Sequence, residues 1–374
     1  MENIIYVGAD VHKDTNSVCM FDWEDGSFFA EAVIEPGVEN MIRYAEKARK
    51  EYGLGKDCRF LIGYEAGPTG YGLCRGLQKK GYECVIMAPT TIKKSSSDKR
   101  KKTDRRDAKM LAMSLATDTY RKVYVLDDED EGTREFTRAR NSIQRELKKA
   151  KQMLLSFLLR IGRSYPEPGN YWTQKHRKWL ETLKFEDRKL NYAYQSYLQQ
   201  IKDLEAKLLL LDEEIEKIAD EERYKDKVDR LVCFSGIDTQ TALTLAVEIG
   251  DFERFATAEQ FASYIGLVPG EDSSGQKKSI GSITKEGNSR VRLVLIEAAK
   301  AIKRSNPFNK PKRILARQAG QSPEIIAYAD RGSKRIRQKM ARMDNHGKNK
   351  NISTTAGARE LACFVWGMMT GNIA

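Results

Sequence analysis

Four carboxylates stand where an acidic cluster could be assembled. Asp10 closes the apolar run Ile4 to Asp10, and Glu65 follows the apolar run Phe60 to Tyr64. A carboxylate at the end of a strand is held on rigid backbone and can face a metal ion. Taken singly, each is also what an ordinary solvated strand end presents. Asp104 and Asp107 are more specific, because residues three apart share one face of a helix. Two like charges there destabilise a bare helix, and a divalent cation would neutralise them. Ion pairing with the neighbouring Arg105 and Arg106 is the plainer alternative. A different chemistry is offered by the run Gly266-Leu-Val-Pro-Gly-Glu-Asp-Ser273-Ser274-Gly275-Gln-Lys277-Lys278, which Gly281 to Arg290 follows. Glycines permit close backbone approach, lysines attract phosphate, and a serine on such a turn could attack phosphorus if its proton were removed. No histidine lies near it in sequence, and Ser273-Ser274-Gly275 is otherwise simply a turn. An acidic metal centre brought beside it by folding, or by a neighbouring subunit, would supply the missing activation.

The elements that must position these groups are legible from periodicity. Ile4 to Asp10 and Val18 to Phe21 read as a β-hairpin opening a sheet, Val38 to Glu51 carries helical spacing, and Phe60 to Tyr64 is a short buried strand. Leu73 to Gln78 then leads through Gly81 into the strand Cys84 to Met87. Strands and helices alternate, so the first third is expected to be an α/β layer. Lys93 to Lys109 is densely basic, as expected of a phosphate-contacting loop running into a helix near Thr103. The acidic stretch Asp127 to Glu131 reads as a linker. After it Ile143, Leu147, Ala150, Leu154 and Leu158 mark one long amphipathic helix, broken by Pro166 and Pro168. Leu198, Ile201, Leu204, Leu208, Leu211, Ile215 and Ile218 mark a second, so the pair could form a helical hairpin or a dimerising coiled coil. From near Tyr224 a third, mainly helical unit follows, including Thr239 to Ile249 and Arg290 to Ile302. Its basic part, Lys303 to Lys350, precedes the apolar helix Ala358 to Met369. Around Phe234-Ser-Gly236-Ile-Asp238-Thr239 two short helices meet at a turn similar to a helix-hairpin-helix. Asp238 there would repel phosphate unless it caps the following helix. The expected organisation is therefore α/β plus α, with units at 1–126, 127–223 and 224–374.

Composition narrows the partners. The chain has 374 residues, with 65 Lys and Arg against 53 Asp and Glu, a formal charge of +12 that favours a polyanion. Nucleic acid leads and an anionic membrane surface comes second. No apolar run reaches the roughly 18 to 20 residues that span a bilayer; the strongest, Met153 to Leu159, ends at Arg160. The start MENIIYVGADVHKD lacks the features of a secretory signal, so cytoplasmic residence is expected. The six cysteines form no CxxC pair, and His12, His176 and His346 are too scattered for an HExxH helix or a Cys/His zinc cluster. The cysteines are expected to be reduced and mostly buried. A Ser-His-Asp hydrolase is disfavoured as well.

Together, strand-end Asp, strand-end Glu and a helical D-x-x-D resemble the four-acid centre of RuvC-like (RNase H-like) nucleases, in which carboxylates bind magnesium against a phosphodiester. The longer blocks VGADVHKD, GYEAGPTGYGLCRGLQKKGYECVIMAP, KKTDRRDAKMLA and YIGLVPGEDSSGQKKSIGSITKEGNSRVRLVLIEAA, in that order, resemble the transposases of the insertion sequence 110 family. These are also called DEDD transposases or bridge-RNA-guided recombinases, and Piv-type DNA invertases are their relatives. The likeness runs over nearly the full chain. It departs at Pro68, where a more open turn is expected, and in an Asn- and Lys-rich terminal part.

The resemblance implies an N-terminal RuvC-like domain whose acids are Asp10, Glu65, Asp104 and Asp107, holding Mg2+, with Mn2+ as a substitute. It implies a central coiled-coil region and a C-terminal serine transposase domain whose nucleophile is Ser274, with Ser273 as fallback. It further implies donor and target DNA, a noncoding bridge RNA, and homodimers assembling to a tetramer. Phosphates would meet Lys93, Lys94, Lys99, Arg100, Lys101, Lys102, Arg105 and Arg106, and Lys277, Lys278, Lys285 and Arg290. Two readings compete with serine transesterification. One is a RuvC-like nuclease or junction resolvase that uses water, and the other is a basic nucleic-acid scaffold whose acids only balance nearby cations.

Overall fold

The computed structural model describes residues 4–89, 103–167, 169–271, 280–306 and 309–373. The chain divides into two compact units, 1–127 and 128–374.

The first unit is built on strands β1 (Ile4–Val11), β2 (Asn16–Asp22), β3 (Ser27–Ile34), β4 (Arg59–Glu65) and β5 (Glu83–Met87), in the order β3-β2-β1-β4-β5. β1, β2 and β3 are antiparallel neighbours, whereas β1, β4 and β5 run parallel. Both faces are covered, which is why the parallel strands are apolar almost throughout. Ile5, Val7 and Ala9 alternate onto one face with Phe60, Ile62, Tyr64, Cys84 and Ile86. There they meet helix α1 (Val38–Glu51), whose buried Met41, Tyr44, Ala45 and Ala48 recur at helical spacing, and Cys74 and Leu77 of helix α2 (Gly72–Lys79). The opposite face receives Val85 and Met87, flanked by Tyr6 and Leu61, against Leu111 and Leu115 of helix α3 (Asp104–Ala116).

The second unit is mainly helical. α4 (Asp128–Arg160) and α6 (Arg188–Ala219) are long rods bracketing the short α5 (Gln174–Thr182). Arg140 reaches Asp212 and Lys151 reaches Glu205, so numbering rises along one rod as it falls along the other and the pair is antiparallel. The acidic run Asp128 to Glu131 forms the first turn of α4 rather than the expected linker. Four carboxylates there complement the positive helix N-terminus, which accounts for their placement. Leu147, Leu154, Phe157, Leu180 and Tyr194 form a separate core at the outer end of the rods, while Phe136, Ile215 and Ile218 join the larger core that follows.

That larger core is enclosed by α7 (Glu222–Leu231), α8 (Thr239–Ile249), α9 (Ala258–Tyr264), α10 (Ser289–Arg304), α12 (Pro323–Asn345) and α13 (Lys350–Met369), with α11 (Lys312–Gln318) alongside. The basic segment 303–350 is folded largely into α11 and α12. Strands β6 (Pro269–Glu271) and β7 (Ile280–Ile283) form an antiparallel pair. Among the described residues no helix is long and apolar enough to cross a membrane. Five of the six cysteines are buried and all are free, as expected.

Candidate metal centre

Asp10 is set by the register of β1. Ala9 pairs with Tyr64 of β4, so Asp10 and Glu65 are the next residues on two parallel neighbours, at the same sheet edge. Alternation turns Tyr6, Gly8 and Asp10 toward the face that α3 covers. Gly8 permits an unusually close approach there: a Cβ at Gly8 would stand 2.1 Å from the Ala108 carbonyl oxygen and 2.3 Å from the Ala112 nitrogen. The backbone of α3 therefore rests on the backbone of β1. Two strand residues advance about 6.6 Å and one helical turn about 5.4 Å. The fixed contact at Gly8 and Ala108 thus carries over to Asp10 and Asp104, one step further on each element. Gly63, which pairs with Gly8, widens the same trough, because a Cβ there would meet the Leu115 side chain.

At the end of this trough one ligand atom each from Asp10, His12 and Asp104 lies within 4.8 Å of the others. His12 Nε2 is 3.2 Å from Asp10 Oδ2. Burial pushes the Asp10 carboxyl above its usual range; His12 opposes that rise, and the charges of Asp107 and Asp104 add to it. Asp107 therefore acts on Asp10 electrically although it falls outside the tight triad. Glu65, half-buried at the end of β4, also lies outside the triad. Anions that converge on Asp10 and raise its proton affinity are the condition a divalent cation relieves, and the donor set of two carboxylates and an imidazole can hold such an ion. His12 was absent from the expected ligands. Its place two residues beyond Asp10, just past the end of β1, was the available signal.

α3 starts after Thr103, whose carbonyl accepts from the amides of Arg106 and Asp107. Asp104 and Asp107 both occupy the first turn, where the helix N-terminus favours negative charge. Arg105 and Arg106 are exposed beside them. Lys93, Lys94, Lys99, Arg100, Lys101 and Lys102 lie outside the described residues.

Ser273, Ser274, Lys277 and Lys278 also lie outside the described residues, whereas the segments leading into β6 and out of β7 are described. Gly266 (φ 67°) and Gly287 (φ 68°) interlock: a Cβ at Gly287 would stand 1.8 Å from the Tyr264 oxygen, and one at Gly266 2.3 Å from the Glu286 oxygen. Arg292 donates to the carbonyls of Ile265 and Glu286, at 2.7 and 2.9 Å. Asn288 caps α10 and donates to Glu248, a buried carboxylate held bidentately by Arg138 at 2.7 and 3.0 Å. Burial alone would raise Glu248, yet Arg138 and Asn288 hold it below the usual carboxylate range. Arg290 approaches the same carboxylate at 4.0 Å, whereas Lys285 is exposed. In the turn between α7 and α8, Asp238 caps α8 by accepting from the Thr241 amide at 2.9 Å. Gly236 is held by packing, since a Cβ there would stand 2.3 Å from the Ala298 oxygen of α10.

Comparison with known proteins bears on both units. A family model described as a transposase, of the DEDD IS110 type, matches residues 7–162, and one described as the transposase IS116/IS110/IS902 family matches residues 228–312. The transposase for insertion sequence element IS1533 of Leptospira borgpetersenii is 32% identical over 345 residues, covering 91% of this chain and 96% of that protein. The y4qE protein of Sinorhizobium fredii is 32% identical over 370 residues, covering 96% and 87%. The transposase for IS1328 of Yersinia enterocolitica is 24% identical over 251 residues, covering 64% and 70%.

Proposed function

From the premise that this chain belongs to the IS116/IS110/IS902 family of transposases, enzymes that transfer DNA strands, we propose that it recombines DNA by metal-dependent transesterification through a serine-DNA ester. The observation that carries the reading is the convergence of Asp10, His12 and Asp104 at the end of the α3 trough. Asp107 and Glu65 complete a RuvC-like acid set around them. A divalent ion bound there, Mg2+ or Mn2+, supplies charge neutralisation at the phosphoryl oxygens in an in-line displacement. Asp10 and Asp104 orient that charge from two rigid elements, and the His12 bond to Asp10 fixes the carboxylate.

In this reading Ser274 is the nucleophile, with Ser273 as the alternative. Its oxygen forms a bond to phosphorus, the bond from phosphorus to one DNA oxygen breaks, and that oxygen leaves with a proton as a free hydroxyl. The ester retains the bond energy, so a hydroxyl on another DNA end reverses the step with a new partner strand. The interlocked root at Gly266 and Gly287 supports a serine presented from a fixed base. We extend the proposal to the C-terminal unit as the serine transposase domain and to the partition 1–126, 127–223 and 224–374. Donor and target DNA, a noncoding bridge RNA that carries sequence recognition by base pairing, and dimers assembling to a tetramer complete it. The net charge of +12 supports the polyanionic partners.

The water-using RuvC-like nuclease remains the rival, and DNA inversion would share the same chemistry on differently arranged sites. Trapping of a protein-DNA adduct separates nuclease from recombinase. The intact chain should form an adduct in Mg2+ that Ser274→Ala abolishes. Nicking that continues undiminished in both Ser274→Ala and Ser273→Ala, with no adduct at any stage, would establish the nuclease.

A further inference from the structure

At the outer end of the α4 and α6 rods, the chain between α4 and α5 folds over a cavity of about 200 Å3. Its walls include Tyr165, Tyr171 and Trp179, its rim carries Arg163, and Gln152 and Ser156 of α4 offer polar groups. The aromatics are organised around one imidazole. His176 is fully buried, and its ring lies 5.0, 5.1 and 5.5 Å from the rings of Tyr165, Tyr171 and Trp179. His176 Nδ1 accepts from the Trp172 amide at 3.2 Å, which leaves the proton of the neutral ring on Nε2, where no hydrogen-bond partner is found among the described residues. Tyr165 and Tyr171 both meet the ring at 87°, an edge-to-face geometry that suits a buried N–H. Trp172 itself sits at φ 69°, a strained conformation for a bulky side chain, of a kind found preferentially at ligand sites.

These features describe a pocket held in shape before anything enters it. Tyr171 is 53% exposed although the His176 ring it meets is fully buried, so a large aromatic face is left available. The volume falls below the roughly 300 to 1,000 Å3 of pockets that enclose drug-sized ligands, which favours a single planar ring system. Charge favours a nucleic acid as its source: residues 160–189 carry eight Lys or Arg against four Asp or Glu. Lys151 and Arg177 stand over the Trp172 ring at 5.0 and 5.8 Å and are paired with Glu205, so they brace that ring.

We propose that this cavity takes one unpaired nucleobase, stacked on its aromatic walls, with Arg163 at the adjoining phosphate. Aromatic stacking beside basic side chains is how single strands are held without reading sequence, because every base has a π face. A paired base, whose faces are already stacked in the duplex, is refused. The site lies in a different unit from the acids, and its occupation does not depend on the serine chemistry.

The test uses the full chain in chelator, so that strand breakage contributes nothing, and measures fluorescence anisotropy with labelled stems. One stem carries a single unpaired base and the other is fully paired, each made as DNA and as RNA. The unpaired stem should bind about tenfold more tightly than the paired one in at least one of the two backbones, and that backbone names the source of the base. Tyr171→Ala should erase this preference while leaving the paired stem's affinity in place, and Tyr171→Phe should keep it. Should Tyr171→Ala fail to fold, Arg163→Ala, on the exposed rim, should reduce the same preference. Equal binding of paired and unpaired stems in both backbones, or a preference that survives Tyr171→Ala, would overturn the assignment.

Discussion

Gly8 of β1 and Gly63 of β4 lie opposite one another in the parallel register, and between them they form the seat of α3. What each glycine meets is different. A Cβ at Gly8 strikes helix backbone at 2.1 Å, whereas one at Gly63 strikes the end of the Leu115 side chain at 2.7 Å. Gly8→Ala must therefore lift the helix, and with it Asp104, while Gly63→Ala requires only that Leu115 shift. Gly8→Ala is expected to lose about 1 to 3 kcal/mol of stability together with metal-dependent strand breakage. Gly63→Ala should lose less of both. Urea denaturation and a nicking assay run side by side on the two variants decide it, and equal behaviour would refute the seat.

Asp10 is pulled in two directions, up by burial and its acidic neighbours and down by His12. Removing the imidazole in His12→Ala leaves the upward pull unopposed, so the Asp10 carboxyl holds its proton to higher pH. Metal ions compete with that proton. Half-maximal Mn2+ binding by His12→Ala should therefore occur at higher pH than in the intact chain, and affinity at fixed pH should fall by roughly 10- to 100-fold. Calorimetric titrations across pH provide the check; an unchanged midpoint would remove His12 from the centre.

Glu205 of α6 joins all three helices of the outer core, accepting from Arg177 of α5 at 2.8 and 3.0 Å and from Lys151 of α4 at 2.6 Å. Its hydrogen bond with Arg177, foremost, holds the carboxyl down at about 2 against the ordinary 4.5. A depressed carboxylate contributes stability that is fully present above the unfolded value and is lost as pH falls through the folded one. The outer core should therefore weaken between about pH 4.5 and pH 2. Glu205→Gln should flatten that part of the profile, followed by circular dichroism during acid titration. A Glu205→Gln profile that retained the same slope would show that other groups carry it.

Glu248 is almost completely buried, and its side chain ties Arg138 of α4 to Asn288 at the start of α10. Glu248→Ala removes the bidentate partner of Arg138, which keeps its bond to Glu135 at 2.9 Å, and removes the carboxylate bond of the Asn288 amide while its cap on α10 stays. Breaking such a pair costs about 3 to 5 kcal/mol when both partners are buried. Arg138 is 28% exposed, which places the expected loss at the lower end. Thermal denaturation reads it directly, and a melting temperature within a degree of the intact chain would contradict the buried-pair account.

Helices and buried strands were legible wherever apolar spacing was regular. α1 was bounded correctly at Val38 and Glu51 because Met41, Tyr44, Ala45 and Ala48 repeat at helical intervals, and β4 was visible as an unbroken apolar run. β3 escaped because it is an edge strand whose alternation is broken at Ala30, which takes φ 51° beside a register shift in the β2 pairing. α5 escaped because nine residues are too few to establish a period. The acidic turn of α4 was mistaken for a linker because charge alone does not separate a solvated loop from a helix start. Asp10 and Asp104, which the fold brings together with His12, stood out in the sequence as a strand-end acid and as the first acid of the D-x-x-D spacing. That α3 would come to rest on Gly8 could not be read there, since the meeting of two backbones depends on tertiary packing that no local pattern records.

α4 is an uninterrupted helix of 33 residues, about 50 Å from end to end. Phe136 near its start is packed into the core around α8 and α10, and Leu158 near its finish belongs to the core beside the aromatic cavity. Such a shaft behaves as a lever. A tilt of about 10° at its root would sweep the far end through about 9 Å, so small repacking around Phe136 becomes a large excursion of Tyr171, and a load borne at the tip returns to the root as torque.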